Sequence, residues 1–172
     1  VVGDFNNWQV SDEYQLKQDG NYFWIELTGL TPQKEYAMQY VVVRDDGVVK
    51  RISDLFSEKV LHSDDQWEPA TVDPTLMPYP AEADGYATVI QTAKPAFQWS
   101  DATLNFKRPN KNNLVIYELW VYDHTLSRSI AGLMERLTYF EDMGVNAIEL
   151  MPVTEFDGNE NWGYSPNHYF AL

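Results

Sequence analysis

The spacing of hydrophobic positions changes character near residue 106. Before it, short apolar runs alternate with turn signals. Tyr22-Phe23-Trp24-Ile25-Glu26-Leu27-Thr28 is rich in aromatic and β-branched residues and is bounded by Asp19-Gly20 and Gly29, which predicts a strand. Tyr36 to Val43 predicts another, and Asp46-Gly47 then joins it to Val48-Val49-Lys50-Arg51-Ile52 as an antiparallel hairpin, because both turn residues tolerate positive φ. The stretch from Glu68 to Gly85 carries Pro69, Pro74, Pro78 and Pro80, so it reads as an extended connection. Together these signals predict an all-β, immunoglobulin-like sandwich over residues 1-106.

From residue 107 the period is different. Leu114-Val115-Ile116-Tyr117-Glu118-Leu119-Trp120-Val121 is a nearly continuous apolar run, the mark of a strand covered on both faces. Ser127 or Ser129 can cap a helix whose apolar positions Ile130, Leu133, Met134, Leu137 and Phe140 fall on one side. Gly144 suits the left-handed residue that ends a helix, and Val145 to Met151 reads as a second buried strand stopped by Pro152. Strand, helix and strand predict a right-handed βαβ unit. The 172 residues are too few for a closed eightfold barrel of about 250.

Charge and composition narrow the chemistry. With 26 acidic against 12 basic side chains the net charge is −14, which argues against binding nucleic acid, since affinity there comes from cationic side chains. Most of the excess lies in residues 1 to 105, with 17 acids and 7 bases, and reads as a solvated acidic face. The absence of Cys excludes disulfides, thiolate zinc sites and cysteine nucleophiles while leaving the compartment open. No apolar run is long enough to span a bilayer, so membrane insertion is not expected. The chain opens inside what reads as a strand and turn, so we expect its true N-terminus to lie upstream.

In parallel α/β architectures ligands meet the loops at the C-terminal ends of strands. The loop after the second strand, Pro152 to Phe170, holds three carboxylates, three amides and five aromatic rings in nineteen residues. That mixture suits a polyhydroxyl ligand, which needs planar hydrogen-bond partners together with ring faces. The alternative is a structured surface loop.

Several motifs in this half resemble the start of the catalytic barrel of glycoside hydrolase family 13. They are Ile116-Tyr117-Glu118-Leu119, Ala131-Gly132-Leu133, the run from Gly144 to Val153 that includes Glu149-Leu150-Met151-Pro152, and Trp162-Gly163-Tyr164. Phe156-Asp157-Gly158 with Trp162-Gly163-Tyr164-Ser165-Pro166 resembles in particular the branching-enzyme and isoamylase-like branches. Gly3-Asp4-Phe5-Asn6-Asn7-Trp8 resembles the opening of the β-sandwich called carbohydrate-binding module family 48, which precedes that barrel. The resemblance implies a multidomain chain: residues 1-106 as the family 48-like sandwich, and residues 107-172 as the first βαβ unit of an incomplete TIM (β/α)8 barrel. It implies an α-glucan polysaccharide or oligosaccharide as partner, with Tyr164 stacking on the sugar at the cleavage point and Trp162 and Trp8 as further substrate-binding candidates. Val48 and Val49 follow Asp46-Gly47 where sugar-binding modules carry a second tryptophan, which weighs Trp8 toward packing. Trp120 and Tyr122 stand where many members carry His and Arg.

Retaining glycoside cleavage needs two carboxyl groups about 5–5.5 Å apart. The resemblance places the family's acid, nucleophile and stabilising Asp on later barrel strands, so no catalytic residue is expected here. Glu149 reads as a hydrogen-bonded scaffold carboxylate, and Glu155, Asp157 and Glu160 are not promoted to catalysts. His62, His124 and His168 are scattered and predict no metal site, and His168 reads as a solvated loop residue. The pairs Asp45-Asp46 and Asp64-Asp65 fit no EF-hand spacing. No cofactor is implied, although the resemblance leaves room for calcium in a full-length parent. The expected function is that of an N-terminal fragment of an α-glucan-active hydrolase or glucanotransferase, inactive alone, with exposed barrel strands that favour self-association. The alternatives are a non-catalytic glucan-binding module and a packing or assembly protein.

Overall fold

The computed structural model describes residues 1–68 and 72–172. Pro69, part of the predicted extended connection, lies outside the described residues, while Glu68 and residues 72–85 contain no helix or strand. The chain divides into two compact units, one of Val1–Gln66, Met77–Pro95 and Asn167–Leu172, the other of Trp67–Leu76 and Ala96–Pro166.

The first unit is antiparallel β-structure. Its strands are β1 (Val2–Gly3), β2 (Lys17–Asp19), β3 (Tyr22–Trp24), β4 (Glu35–Val43), β5 (Val49–Ile52), β6 (Val60–Leu61) and β7 (Ala87–Gln91). The long strand β4 organises the sheet: β7 pairs along its first half from Glu35↔Gln91 to Met38↔Thr88, while β1 joins at Met38 and Gln39. Its second half pairs with β5 from Tyr40↔Ile52 to Val43↔Val49, the hairpin that Asp46-Gly47 predicts, and β6 completes the sheet against β7. Strands β2 and β3 form a separate hairpin, so the strand expected to reach Thr28 stops at Trp24. Tyr36, Ala37 and Met38 of β4 are buried, as are Val2, Leu61 and Ala87 of the other strands of the sheet. Gln39 is fully buried among them, its amide donating to the carbonyls of Asp84 (2.6 Å) and Tyr86 (2.8 Å) and accepting from Asp84 N (3.2 Å). A buried amide is tolerated because its polar atoms find partners.

The second unit contains the predicted parallel pair. Strand β8 (Ile116–Leu119) pairs with β9 (Ala147–Leu150) from Ile116↔Ala147 to Leu119↔Leu150. Asn146 fixes this register: its side chain accepts from Val115 N (2.8 Å) and donates to Asn113 O (2.9 Å). Helix α1 (Asp101–Leu104), unpredicted, is capped by Ser100, which accepts from Thr103 N. The strand read as continuing to Val121 ends at Leu119, and α2 (Val121–His124) follows. The single predicted helix is two, α3 (Ile130–Met134) and α4 (Leu137–Asp142). Ser129 caps α3 by accepting from Gly132 N, and Gly144, at φ +78°, lies just beyond α4. Between the helices Arg136 N bonds Leu133 O (2.9 Å), three residues back rather than four, which tightens the chain. Leu133 and Phe140 therefore join Leu119 in the core, while Ile130, Met134 and Leu137 of the predicted face stay exposed.

Candidate functional site

Parallel strands carry cross-strand neighbours on the same side, so Ile116, Glu118, Ala147 and Glu149 share one face of the β8–β9 pair. The opposite face, with Tyr117, Leu119 and Ile148, packs on Leu133 and Phe140. Glu118 and Glu149 are register partners and both are exposed. Glu149 thus lies in the open, whereas the sequence suggested a scaffold carboxylate within a buried strand, because no described layer covers this face.

Beyond β9 the chain turns at Pro152 and returns through Trp162-Gly163-Tyr164. Gly163 has φ +86°, and a Cβ there would lie 2.2 Å from Pro152 O, so both the backbone conformation and the close approach require glycine. Asn161 supports the turn by accepting from Gly163 N at 2.9 Å. The outcome is to present Tyr164, whose hydroxyl donates to Glu118 Oε1 at 3.4 Å. Lost hydration, then the carboxylates of Glu118 and Glu149, raise the Tyr164 phenol above its ordinary value. Trp162 and Tyr164 are both more than 60% exposed, at 63% and 62%, and do not stack on one another. Their faces are open to a ligand. Asp157 and Glu160 are exposed on the same loop.

The positions where the resemblance leads one to expect His and Arg are occupied by stacked rings. Trp120 and Tyr122 lie 5.0 Å apart, and Arg128 covers Tyr122 at 4.3 Å while donating to its hydroxyl. His124 packs face-on against Phe140 at 5.2 Å.

The Gly3-to-Trp8 motif is an interlocked turn in the first unit. A Cβ on Gly3 would meet Ala37 O at 2.5 Å, so only glycine lets β1 lie this close to β4. Asp4 accepts from the Trp8 indole (3.0 Å) through one oxygen and from Ala37 N (2.8 Å) through the other. Asn6 accepts from Gly3 N and donates to the carbonyls of Val1 and Gln9. Asn7 and Trp8 both have left-handed backbone, and Trp8 is buried, with 6% of its surface exposed.

His168 corrects the sequence reading. It belongs to the first unit, is 3% exposed rather than solvated, and its Nε2 lies 2.8 Å from Ser53 Oγ. Tyr86 lies between two of the histidines, stacked on His62 at 4.5 Å and tilted against His168 at 5.0 Å, while its hydroxyl accepts from Asn167. No sequence signal links these three positions. Burial lowers the His168 pKa, partly opposed by Asp54. Among the described residues no group of three or more ligating side chains is set to hold a metal, and no helix is long and apolar enough to cross a membrane.

No family model matches the chain. Among curated proteins it is 34% identical over 100 residues to malto-oligosyltrehalose trehalohydrolase of Saccharolobus solfataricus, covering 58% of this chain and 17% of that protein. It is 35% identical over 105 residues to the Mycobacterium tuberculosis protein of the same name, covering 58% and 18%. It is 30% identical over 182 residues to 1,4-alpha-glucan branching enzyme GlgB 1 of Xanthomonas campestris pv. campestris, covering 99% of this chain and 22% of the enzyme. The chain therefore spans about a fifth of the length of the curated relatives it matches. A crystal structure ascribed to an α-amylase of Salmonella typhimurium superposes with a TM-score of 0.61 at 22% identity, over 91% of this chain and 22% of that one, a likeness of fold. The chain is homologous to the trehalohydrolase and branching enzymes of glycoside hydrolase family 13, as its motifs suggest.

Proposed function

We propose that this chain is the opening part of an α-glucan-active glycoside hydrolase or glucanotransferase. In this reading, residues 1-106 are a family 48-like β-sandwich, and residues 107-172 are the first βαβ unit of a (β/α)8 barrel. The observation that carries it is the exposed Tyr164 ring, set just past the C-terminal end of β9 and bonded to Glu118 of β8. A sugar at that rim finds a ring face in Tyr164, with Trp162, Asp157 and Glu160 beside it on the loop. Trp8 serves packing, which its burial favours.

The catalytic carboxylates lie outside these residues. Glu118 and Glu149 are adjacent, but both stand in water, without the enclosed environment that sets an acid and a nucleophile apart. The isolated chain therefore releases no reducing sugar from amylose, and it self-associates. Its accessible surface is 12691 Å², whereas two independent globular modules sharing its 19.9 kDa expose about 10,400 Å². Apolar Leu114, Val115, Ile116 and Leu150 contribute to the excess.

The test is to assay the product of the whole reading frame on amylose and on a malto-oligosyltrehalose, following reducing ends, released trehalose and new branch points. Gain of one of these activities, with a fall in kcat/KM of about 100-fold in Tyr164→Ala, is the expected result. A whole product inert on every α-glucan, or amylose turnover by the 172-residue chain alone, overturns the proposal.

A further inference from the structure

The hairpin of β2 and β3 carries more exposed aromatic surface than its packing explains. Residues two apart on a strand point the same way. Tyr22 and Trp24 thus share one face, separated by about 7 Å of strand, and are 79% and 47% exposed. Phe23 points to the other side. Across the hairpin Lys17 is the register partner of Trp24, and its ammonium lies 5.1 Å from the indole centroid. Beside this ring an open cleft of about 480 Å³ is lined by Trp24, Leu16 and Ile25 together with Asp12, Glu13, Gln15, Lys17 and Glu26. Its volume falls within the ordinary range for small-molecule sites, roughly 300–1,000 Å³.

The lining defines the ligand chemistry. Carboxylates at Asp12, Glu13 and Glu26 accept hydrogen bonds, the Lys17 ammonium only donates, and the Gln15 amide does both. A ligand meeting all of these must donate and accept from many neighbouring groups and offer an apolar face to an indole. A polyanion would meet three carboxylates, and an apolar peptide face would strand polar groups. A neutral polyol with ring C–H faces fits.

We propose that Tyr22, Trp24 and the adjoining cleft form a glucan-binding platform distinct from the Tyr164 rim. Assignment of the polyol as an α-glucan rests on the function proposed above. The platform is built within the first unit, so it tethers polymer independently of the cleavage point. Lys17 lies over one face of the indole and orients the ring, while Glu26 and Gln15 take sugar hydroxyls.

Native gel electrophoresis of the 172-residue chain through amylopectin, with a soluble β-glucan as the control polymer, tests the platform. Wild type should be retarded by amylopectin and not by the β-glucan. Trp24→Ala and Tyr22→Ala should each lose at least fivefold in apparent affinity. Both hairpin side chains are exposed, so the variants should keep the wild-type circular dichroism. Glu26→Gln, which preserves size but replaces one acceptor oxygen by an amide donor, gives a second reading and should weaken retardation without affecting fold. Undiminished retardation of Trp24→Ala overturns the platform and leaves the α-glucan reading standing. Equal retardation by the β-glucan refutes the α-glucan assignment of this site. If wild type is not retarded at all, the platform is refuted, whereas the proposed function is judged separately by turnover of the whole reading-frame product.

Discussion

Replacing Asp4 by Ala separates packing from binding at the Gly3-to-Trp8 motif. The carboxylate bridges the indole N–H of Trp8 and the backbone N–H of Ala37, 33 positions away in sequence. A hydrogen bond to a charged group contributes about 1.5–3 kcal/mol. Asp4 itself is exposed, so water replaces part of what is lost, whereas Trp8 and Ala37 are buried. The net cost should be about 2–3 kcal/mol, a large part of the roughly 5–15 kcal/mol that holds a domain together. With an m-value near 1.3 kcal/mol per molar urea, the unfolding midpoint of the first unit should fall by about 2 M. Tryptophan fluorescence in a urea titration reads this directly, and Asp4→Asn, which keeps one acceptor oxygen, should recover about half of the shift. The Asp4→Ala variant, where still folded, should migrate through amylopectin like wild type. A midpoint unchanged within about 0.3 M, which is smaller than any of these bonds is worth, would refute the packing argument. Weakened amylopectin retardation at an unchanged midpoint would return Trp8 to a binding role.

Acidification should destabilise the first unit through His168. Burial holds its folded pKa below the ordinary 6.5, so the unfolded chain binds more protons as pH falls. The stability it contributes is full above about pH 6.5 and is lost progressively below; the urea midpoint should drop between pH 7.5 and 5.5, and His168→Gln should flatten that slope. At the rim, Glu118→Gln should bring the raised Tyr164 phenol back toward its ordinary value, read as the difference in ultraviolet titration between each protein and its Tyr164→Phe counterpart. Gly163→Ala should do the same by moving the loop off Pro152, and an unchanged titration in both variants would remove Glu118 as the positioning group for Tyr164.

The elements that local chemistry determines were legible before any coordinates. A β-branched and aromatic run makes β4, Asp46-Gly47 makes its hairpin, Ser129 starts a helix and Gly144 follows the end of one. What escaped the sequence depends on distant partners. The burial of His168 follows from Ser53 and Tyr86, more than eighty positions away. The break between α3 and α4 follows from which apolar residues find a core, since a periodic pattern gives Ile130 and Leu133 equal claims. The motif letters pointed correctly at Gly3 and Gly163, but only the approach of Ala37 and Pro152 explains why those positions admit no side chain.

The apolar run from Leu114 to Val121 suggested a strand dry on both sides, and the two faces are in fact unlike. One presents Tyr117 and Leu119 to the helices, whereas the other carries two opposed carboxylates, an arrangement that is unfavourable in itself. Covering that second face with a purely apolar layer would strip water from both charges at a cost no packing gain offsets. Its partner must therefore bring cationic or donor side chains, or leave water in place. That requirement suits the interior of a closed parallel barrel lined near its rim by polar groups, and it disfavours a dry dimer through the same surface. Self-association of the isolated chain should accordingly use the strand edges and the apolar residues around Leu114 and Val115, leaving Glu118, Glu149 and the Tyr164 hydroxyl in water.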